Sequence, residues 1–102
     1  MTLVSYSDNM IVSFSSKQTE KIYNGERAAK LPLDIQRIAL RKLILLDQSQ
    51  DIKDLTIPLS NRLEKLKGNM KEYYSIRIND QWRIIFKWIN NNPHDVEIVD
   101  YH

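Results

Sequence analysis

Tyr73-Tyr74-Ser75-Ile76-Arg77-Ile78-Asn79-Asp80-Gln81-Trp82-Arg83-Ile84-Ile85-Phe86-Lys87-Trp88 is the stretch that decides the fold. On both sides of Asn79-Asp80-Gln81 large apolar residues recur at every second position, the signature of two strands joined by a short loop. Residues directly opposite in an antiparallel pair share a face, so the register follows from the apolar pattern. Pairing Ile78 with Trp82, Ile76 with Ile84 and Tyr74 with Phe86 puts all six large side chains on one side. The same register sets Arg77 opposite Arg83 on the other.

Working outward, Val96 to Tyr101 reads as a further strand. Pairing Trp88 with Val96 and Phe86 with Ile98 continues the apolar face; it sets Lys87 opposite Glu97 and Arg83 opposite Tyr101. Asn90-Asn91-Asn92-Pro93 is then the loop, and His94 after it a loop residue. Upstream, Arg62 to Leu66 reads as a strand and Lys67-Gly68-Asn69 as a turn. Earlier still the period changes to that of a helix. Pro32 suits a first helical turn and Asp34 complements the positive end of the dipole. Ile35, Ile38, Ala39, Leu45 and Leu46 recur at helical spacing, with Leu40, Leu43 and Ile44 widening the stripe. Arg37, Arg41 and Lys42 take the remaining face. Gln48 to Ser60 is a polar connector with one helical turn around Asp51 to Asp54, broken by Pro58. Ser15-Ser16-Lys17-Gln18 has capping-box spacing and Gly25 supplies a stop, giving a short helix of about 17–24. Met10 to Phe14 reads as a short strand. The expectation is α+β: two N-terminal helices packed on an antiparallel sheet, in one domain over residues 10–102. Residues 1–9 read as an irregular extension or a tag.

The 102 residues suffice for one hydrophobic core, and 42% hydrophobic with 27% charged residues is ordinary for a globular domain. Cysteine is absent, which removes disulfides and thiolate zinc sites and suits a reducing cytoplasm. The first nine residues lack the pattern of a secretory signal, and no apolar run is long enough to span a bilayer. Charge is unevenly placed. From Arg62 to Lys87 there are seven basic residues against three acidic ones, whereas the rest of the chain has eight against ten. A local basic block on a nearly neutral domain fits a polyanion at one face.

The face opposite the core therefore carries Arg77, Arg83 and Tyr101 side by side. Two directly opposed arginines repel unless an anion lies between them, and guanidinium forks match phosphate oxygens. Lys67 and Lys71 arrive from the neighbouring loop, and Lys65 and Lys87 complete the block, so an RNA backbone is the expected ligand. A solvated strand surface neutralised by Asp100 or Glu97 would carry the same residues. The chain closes on Asp100-Tyr101-His102, and histidine is the side chain best suited to proton transfer near neutral pH. His94 and His102, without cysteine or a clustered carboxylate set, make a poor metal site. No metal and no other cofactor is expected.

Three segments carry a resemblance: Asn61-Arg62-Leu63-Glu64-Lys65-Leu66-Lys67-Gly68, Tyr74-Ser75-Ile76-Arg77-Ile78-Asn79-Asp80-Gln81-Trp82-Arg83-Ile84 and Val96-Glu97-Ile98-Val99-Asp100-Tyr101-His102. In that order they resemble the HigB branch of the RelE superfamily of bacterial toxins. The resemblance covers residues 10–102 and implies a RelE-like, microbial-ribonuclease-like fold. It also implies ribosome-dependent endonucleolytic cleavage of messenger RNA by 2′-hydroxyl attack. Its implied partners are the ribosome with its messenger, a cognate helix-turn-helix antitoxin (HigA-like) and, through that antitoxin, operator DNA, with no membrane involved. Carried over by motif, Lys67 and Arg83 stabilise the phosphate, Tyr101 orients substrate, and His102 transfers the proton with support from Asp100. Some members have a histidine where this chain has Glu64, and an arginine where it has Asn79. Arg77 is the candidate substitute for the latter. Either Glu64 or Asp100 can accept the 2′-hydroxyl proton. Two other functions suit the same fold: a gyrase-inhibiting toxin of the related ParE family, and a non-catalytic RNA-binding module. Mapping the 5′ ends of transcripts after brief expression separates the three.

Overall fold

The computed structural model describes residues 10–101; the expectations for residues 1–9 and for His102 fall outside them. Helix α1 (Lys17–Tyr23) and helix α2 (Leu33–Gln48) precede the strands β1 (Glu64–Lys65), β2 (Tyr73–Arg77), β3 (Trp82–Ile89) and β4 (Asn92–Asp100). The strands form one antiparallel sheet in the order β1-β2-β3-β4. This is the α+β architecture expected from the sequence.

Helix α1 is capped one residue later than the capping-box spacing suggested. The Ser16 hydroxyl accepts from the Thr19 amide at 3.3 Å, while Gln18 Oε1 accepts from the Lys30 amide at 3.2 Å. Gly25, at φ +82°, ends the segment in the left-handed region that glycine enters without a Cβ penalty. In α2, Ile35, Ala39, Leu43 and Leu46 are buried, as their spacing requires. Ile44 is 42% exposed and lies off the buried stripe it was expected to widen. Lys42 bonds the side chain of buried Asn61, whose amide in turn donates to the carbonyls of Leu55 (3.1 Å) and Ile57 (3.3 Å). This clasp fixes the connector, including its 3₁₀ turn Ile52–Thr56, against α2. Asp51 caps that turn close to where one was expected.

The β2–β3 hairpin has the expected register: Tyr74 faces Phe86, Ile76 faces Ile84 and Arg77 faces Arg83. Ile76, Ile84 and Phe86 join Ile22, Ile35, Ala39, Leu43, Leu46, Val96 and Ile98 in one core between helices and sheet.

The β3–β4 register differs from expectation. Ile84 faces Ile98 and Arg83 faces Val99; near the turn Lys87 faces His94 and Trp88 faces Pro93. The expected pairs Trp88–Val96, Phe86–Ile98, Lys87–Glu97 and Arg83–Tyr101 are not formed. The cause is the turn. Asn90 (φ 53°) and Asn91 (φ 65°) are both left-handed, as a tight two-residue hairpin demands, so Asn92, Pro93 and His94 are strand residues rather than loop. One extra residue in β4 is then absorbed by a bulge opposite Phe86, where Asp95 has φ 53°.

Residues 11–15 run along the outer side of β4. The amides of Val12 and Ser15 donate to the carbonyls of Pro93 (2.9 Å) and Val96 (3.0 Å), and the Val96 amide donates to Ser13 (3.0 Å). Phe14 makes a single parallel bridge to Val96 in place of the strand expected at Met10 to Phe14. Buried Thr19 of α1 accepts from the Ile98 amide at 2.9 Å, locking that helix to the same strand.

Candidate active site

The face away from the helices is less open than expected. Ser75 and Ile85 are buried there, and Arg83 is only 8% exposed. Arg83 Nε donates to Ser75 Oγ at 2.9 Å and Nη2 to the Arg62 carbonyl at 2.6 Å. Its guanidinium carbon lies 5.2 Å from the centre of the Tyr101 ring. Strand β3 supplies the arginine, β2 supplies the serine beneath it, and Tyr101, the residue after β4, supplies the aromatic lid. A guanidinium has five N–H donors in a rigid fork, so bonds at Nε and Nη2 fix its plane while Nη1 lies outside them. Burial lowers the Arg83 pKa from its ordinary value, and neighbouring Glu64 and Tyr101 oppose that shift.

Arg83 forms part of a cleft of about 590 Å³ whose other lining residues are Leu59, Arg62, Leu63 and Glu64. Glu64 faces Ser75 across the β1–β2 pairing and so shares the face of Arg83. Tyr101 reaches Arg83 diagonally, two residues beyond Val99, and is held by its amide donating to the Gln81 carbonyl at 2.6 Å. Its expected neighbourhood is realised although its expected partner is not.

The remaining sequence-predicted residues divide. Asp100 faces Trp82, on the helix side of the sheet, and accepts from Gln81 Nε2 at 3.1 Å. Lys67 is exposed at the start of the 3₁₀ turn Gly68–Met70 and is not part of the cleft wall. Lys65 faces Tyr74, on the side opposite Arg83; its ammonium lies 4.7 Å from that ring and donates to the Lys71 carbonyl at 2.9 Å. Strand alternation thus places Lys65 on the face opposite the arginines. Lys71 is exposed in the same loop. Lys87 shares the face of Arg83, but four residues along a strand is about 13 Å. It pairs with Asp95 at 3.4 Å, and the bond to Asp95 raises its pKa.

Arg77 makes its ion pair with Asp80, not with Asp100 or Glu97. The sequence could not show that the opposed Arg77 and Arg83 diverge. Arg83 opens into the 590 Å³ cleft and Arg77 into a neighbouring one of about 370 Å³, lined also by Leu59, Ser60, Arg62 and Asp80. Arg62, Leu59 and Leu63 were not singled out as site residues. The available signal was Arg62 itself, the first residue of the basic block. Among the described residues, no three His, Cys, Asp or Glu side chains gather as a metal-holding group, and no helix is long and apolar enough to cross a membrane.

A small α+β domain with a buried arginine, a facing carboxylate and an aromatic lid in one cleft has the parts of a site for phosphate chemistry. Residues 12–102 match the family described as the RelE-like toxin of the type II toxin-antitoxin system HigB. The chain belongs to that family, and an antitoxin is its partner. Among its relatives, Toxin HigB-1 of Vibrio cholerae serotype O1 is 42% identical over 82 residues, 79% of this chain and 86% of the relative. Endoribonuclease HigB of Proteus vulgaris is 32% identical over 94 residues, 91% of this chain and the whole of the relative. These matches favour the HigB branch over the gyrase-inhibiting one.

Proposed function

We propose that this toxin is a metal-independent endoribonuclease that cuts messenger RNA on the ribosome, in the cytoplasm, and is neutralised by a helix-turn-helix antitoxin. The observation carrying this reading is the fixed Arg83 guanidinium facing Glu64 in one cleft under Tyr101. Glu64 accepts the proton of a ribose 2′-hydroxyl, whose oxygen attacks the adjacent phosphorus. The bond to the 5′-oxygen breaks, leaving a 2′,3′-cyclic phosphate on one fragment. His102 donates the proton that makes the leaving oxygen a 5′-hydroxyl. Arg83 meets the charge that develops on the phosphorane, and Lys67, exposed in the neighbouring loop outside the cleft wall, reaches the phosphate when RNA is bound. Glu64 is the better base because it shares the cleft with Arg83, whereas Asp100 faces Trp82.

A cleft this open cannot by itself hold a 2′-hydroxyl in line with the scissile phosphate, a constraint worth roughly 7–11 kcal/mol in favourable systems. A codon fixed in the ribosomal decoding site supplies it. One transcript, offered with and without programmed ribosomes at constant salt, is therefore expected to be cut well only when translated. Comparable rates in both tubes would replace this reading with a general ribonuclease.

Chelation is expected to leave the rate unchanged, because arginine and lysine supply the positive charge that a metal supplies elsewhere. The check is EDTA treatment with ribosome integrity controlled. Loss of cutting that Mg²⁺ restores would count against it.

A further inference from the structure

The two clefts share Leu59 and Arg62 as common walls. Arg77 and Arg83 face each other across the β2–β3 pairing, which sets their Cβ atoms about 5 Å apart, yet each lines a different cleft. Between them stands Arg62, exposed, in the left-handed backbone region at φ 46° and ψ 54°. Residues with a Cβ adopt this conformation rarely. Here it is held at both ends: the Arg62 amide donates to the Leu59 carbonyl at 3.0 Å, and its carbonyl accepts from Arg83. The backbone bond that fixes Arg83 thus also fixes the residue standing at the boundary of the clefts.

We propose that the second cleft is a phosphate subsite, in which Arg62 and Arg77 bind the phosphate next to the scissile one on a single RNA strand. This rests on the ribonuclease reading, since that reading puts the scissile phosphate at Arg83. Three observations carry it. The clefts are contiguous through Arg62. Each has an arginine of its own. The second also holds Asp80, whose carboxylate is 99% exposed and pairs with Arg77. An exposed pair of this kind contributes little and is readily exchanged for another anion, so Asp80 acts as a stand-in that RNA displaces. Burial first, then the charges of Arg41 and Arg77, lower the Lys42 pKa, as expected where cations crowd together. Leu59, 85% exposed at the common wall, offers an apolar surface to the base of the nucleotide whose ribose joins the two phosphates.

The test uses the intact protein and uncleavable 2′-O-methyl oligonucleotides, a dinucleotide with one internal phosphate and a trinucleotide with two. Charge-assisted bonds of this kind make the trinucleotide bind about tenfold more tightly. Arg77→Ala and Arg62→Ala are expected to erase most of that gain, and Asp80→Asn to increase it by removing the competing carboxylate. The salt dependence of trinucleotide binding should fall in the arginine variants, since each neutralised phosphate of a single strand contributes about 0.7 to the slope. Should Arg62→Ala fail to fold, the Arg77 and Asp80 variants decide alone. The subsite is overturned if the Arg77 variant keeps the full gain, or if Asp80→Asn leaves trinucleotide affinity unchanged or weaker. Wild-type cleavage of translated RNA is measured in parallel. Its absence sinks the ribonuclease reading, whereas normal cleavage with indifferent variants sinks the subsite only.

Discussion

Replacing His102 with alanine is expected to lower cleavage of translated messenger RNA by about 10²–10⁴, the usual contribution of a general acid. The assignment comes from the Asp100-Tyr101-His102 motif, together with a neighbour whose position is fixed: Tyr101 lies over Arg83 and is tied by its amide to Gln81. Stability is expected to change by no more than about 0.5 kcal/mol. Substitution is preferable to truncation, because a chain ending at Tyr101 carries a new carboxylate beside Arg83. Single-turnover cleavage and a thermal melt measure the two expectations. A His102→Ala protein that cuts at the parental rate would remove the proton-transfer role altogether.

Arg83→Ala is expected to cost about 10²–10³ in the rate of the chemical step, as for loss of one preorganised donor at a developing oxyanion. It should also destabilise the fold by about 1–3 kcal/mol, because the buried Ser75 hydroxyl and the Arg62 carbonyl both lose a donor. Assays therefore belong well below the melting transition, with circular dichroism confirming the fold. Arg77→Ala, which breaks only an exposed ion pair, should barely change stability and should act on RNA affinity rather than on the chemical step. Arg83→Lys keeps the charge but lacks the fork that bridges Ser75 and Arg62, so it should recover little of the rate. Equal losses in the chemical step for Arg77→Ala and Arg83→Ala would mean that Arg83 is not the residue at the phosphorane.

What the sequence could and could not convey follows from parity. The β2–β3 register was readable because its apolar residues alternate up to a short polar loop, leaving one pairing that buries them. In β3–β4 a slip of two residues moves no side chain to the other face, so the apolar pattern accepts Arg83–Tyr101 as readily as Arg83–Val99. The deciding information lay in Asn90-Asn91, which tolerate two consecutive left-handed residues, and in a bulge at Asp95 that no hydrophobic pattern announces. Arg83 and Tyr101 were nonetheless legible as neighbours, because diagonal and direct partners share a face. Membership of the basic block is a property of sequence and says nothing of face: alternation from Glu64 turns Lys65 to the far side of the sheet. The roles of Arg62 and Asp80 depend on backbone geometry and loop closure, which residue types alone do not encode. Helix α2 was legible almost whole, its exception being exposed Ile44.

The strip of residues 11–15 along β4 has a consequence for how the protein comes into being. Its contacts join residues about 80 positions apart, such as Ser13 with Asp95. Closing so long a stretch of chain carries an entropic penalty that only long-range contacts repay, and such topologies form late in folding. A nascent chain emerging from the ribosome can build α2 early. It cannot seat its own N-terminal strip, or bring Tyr101 over Arg83, until β4 has left the exit tunnel. The proposed site is thus complete only once Tyr101 is seated over Arg83.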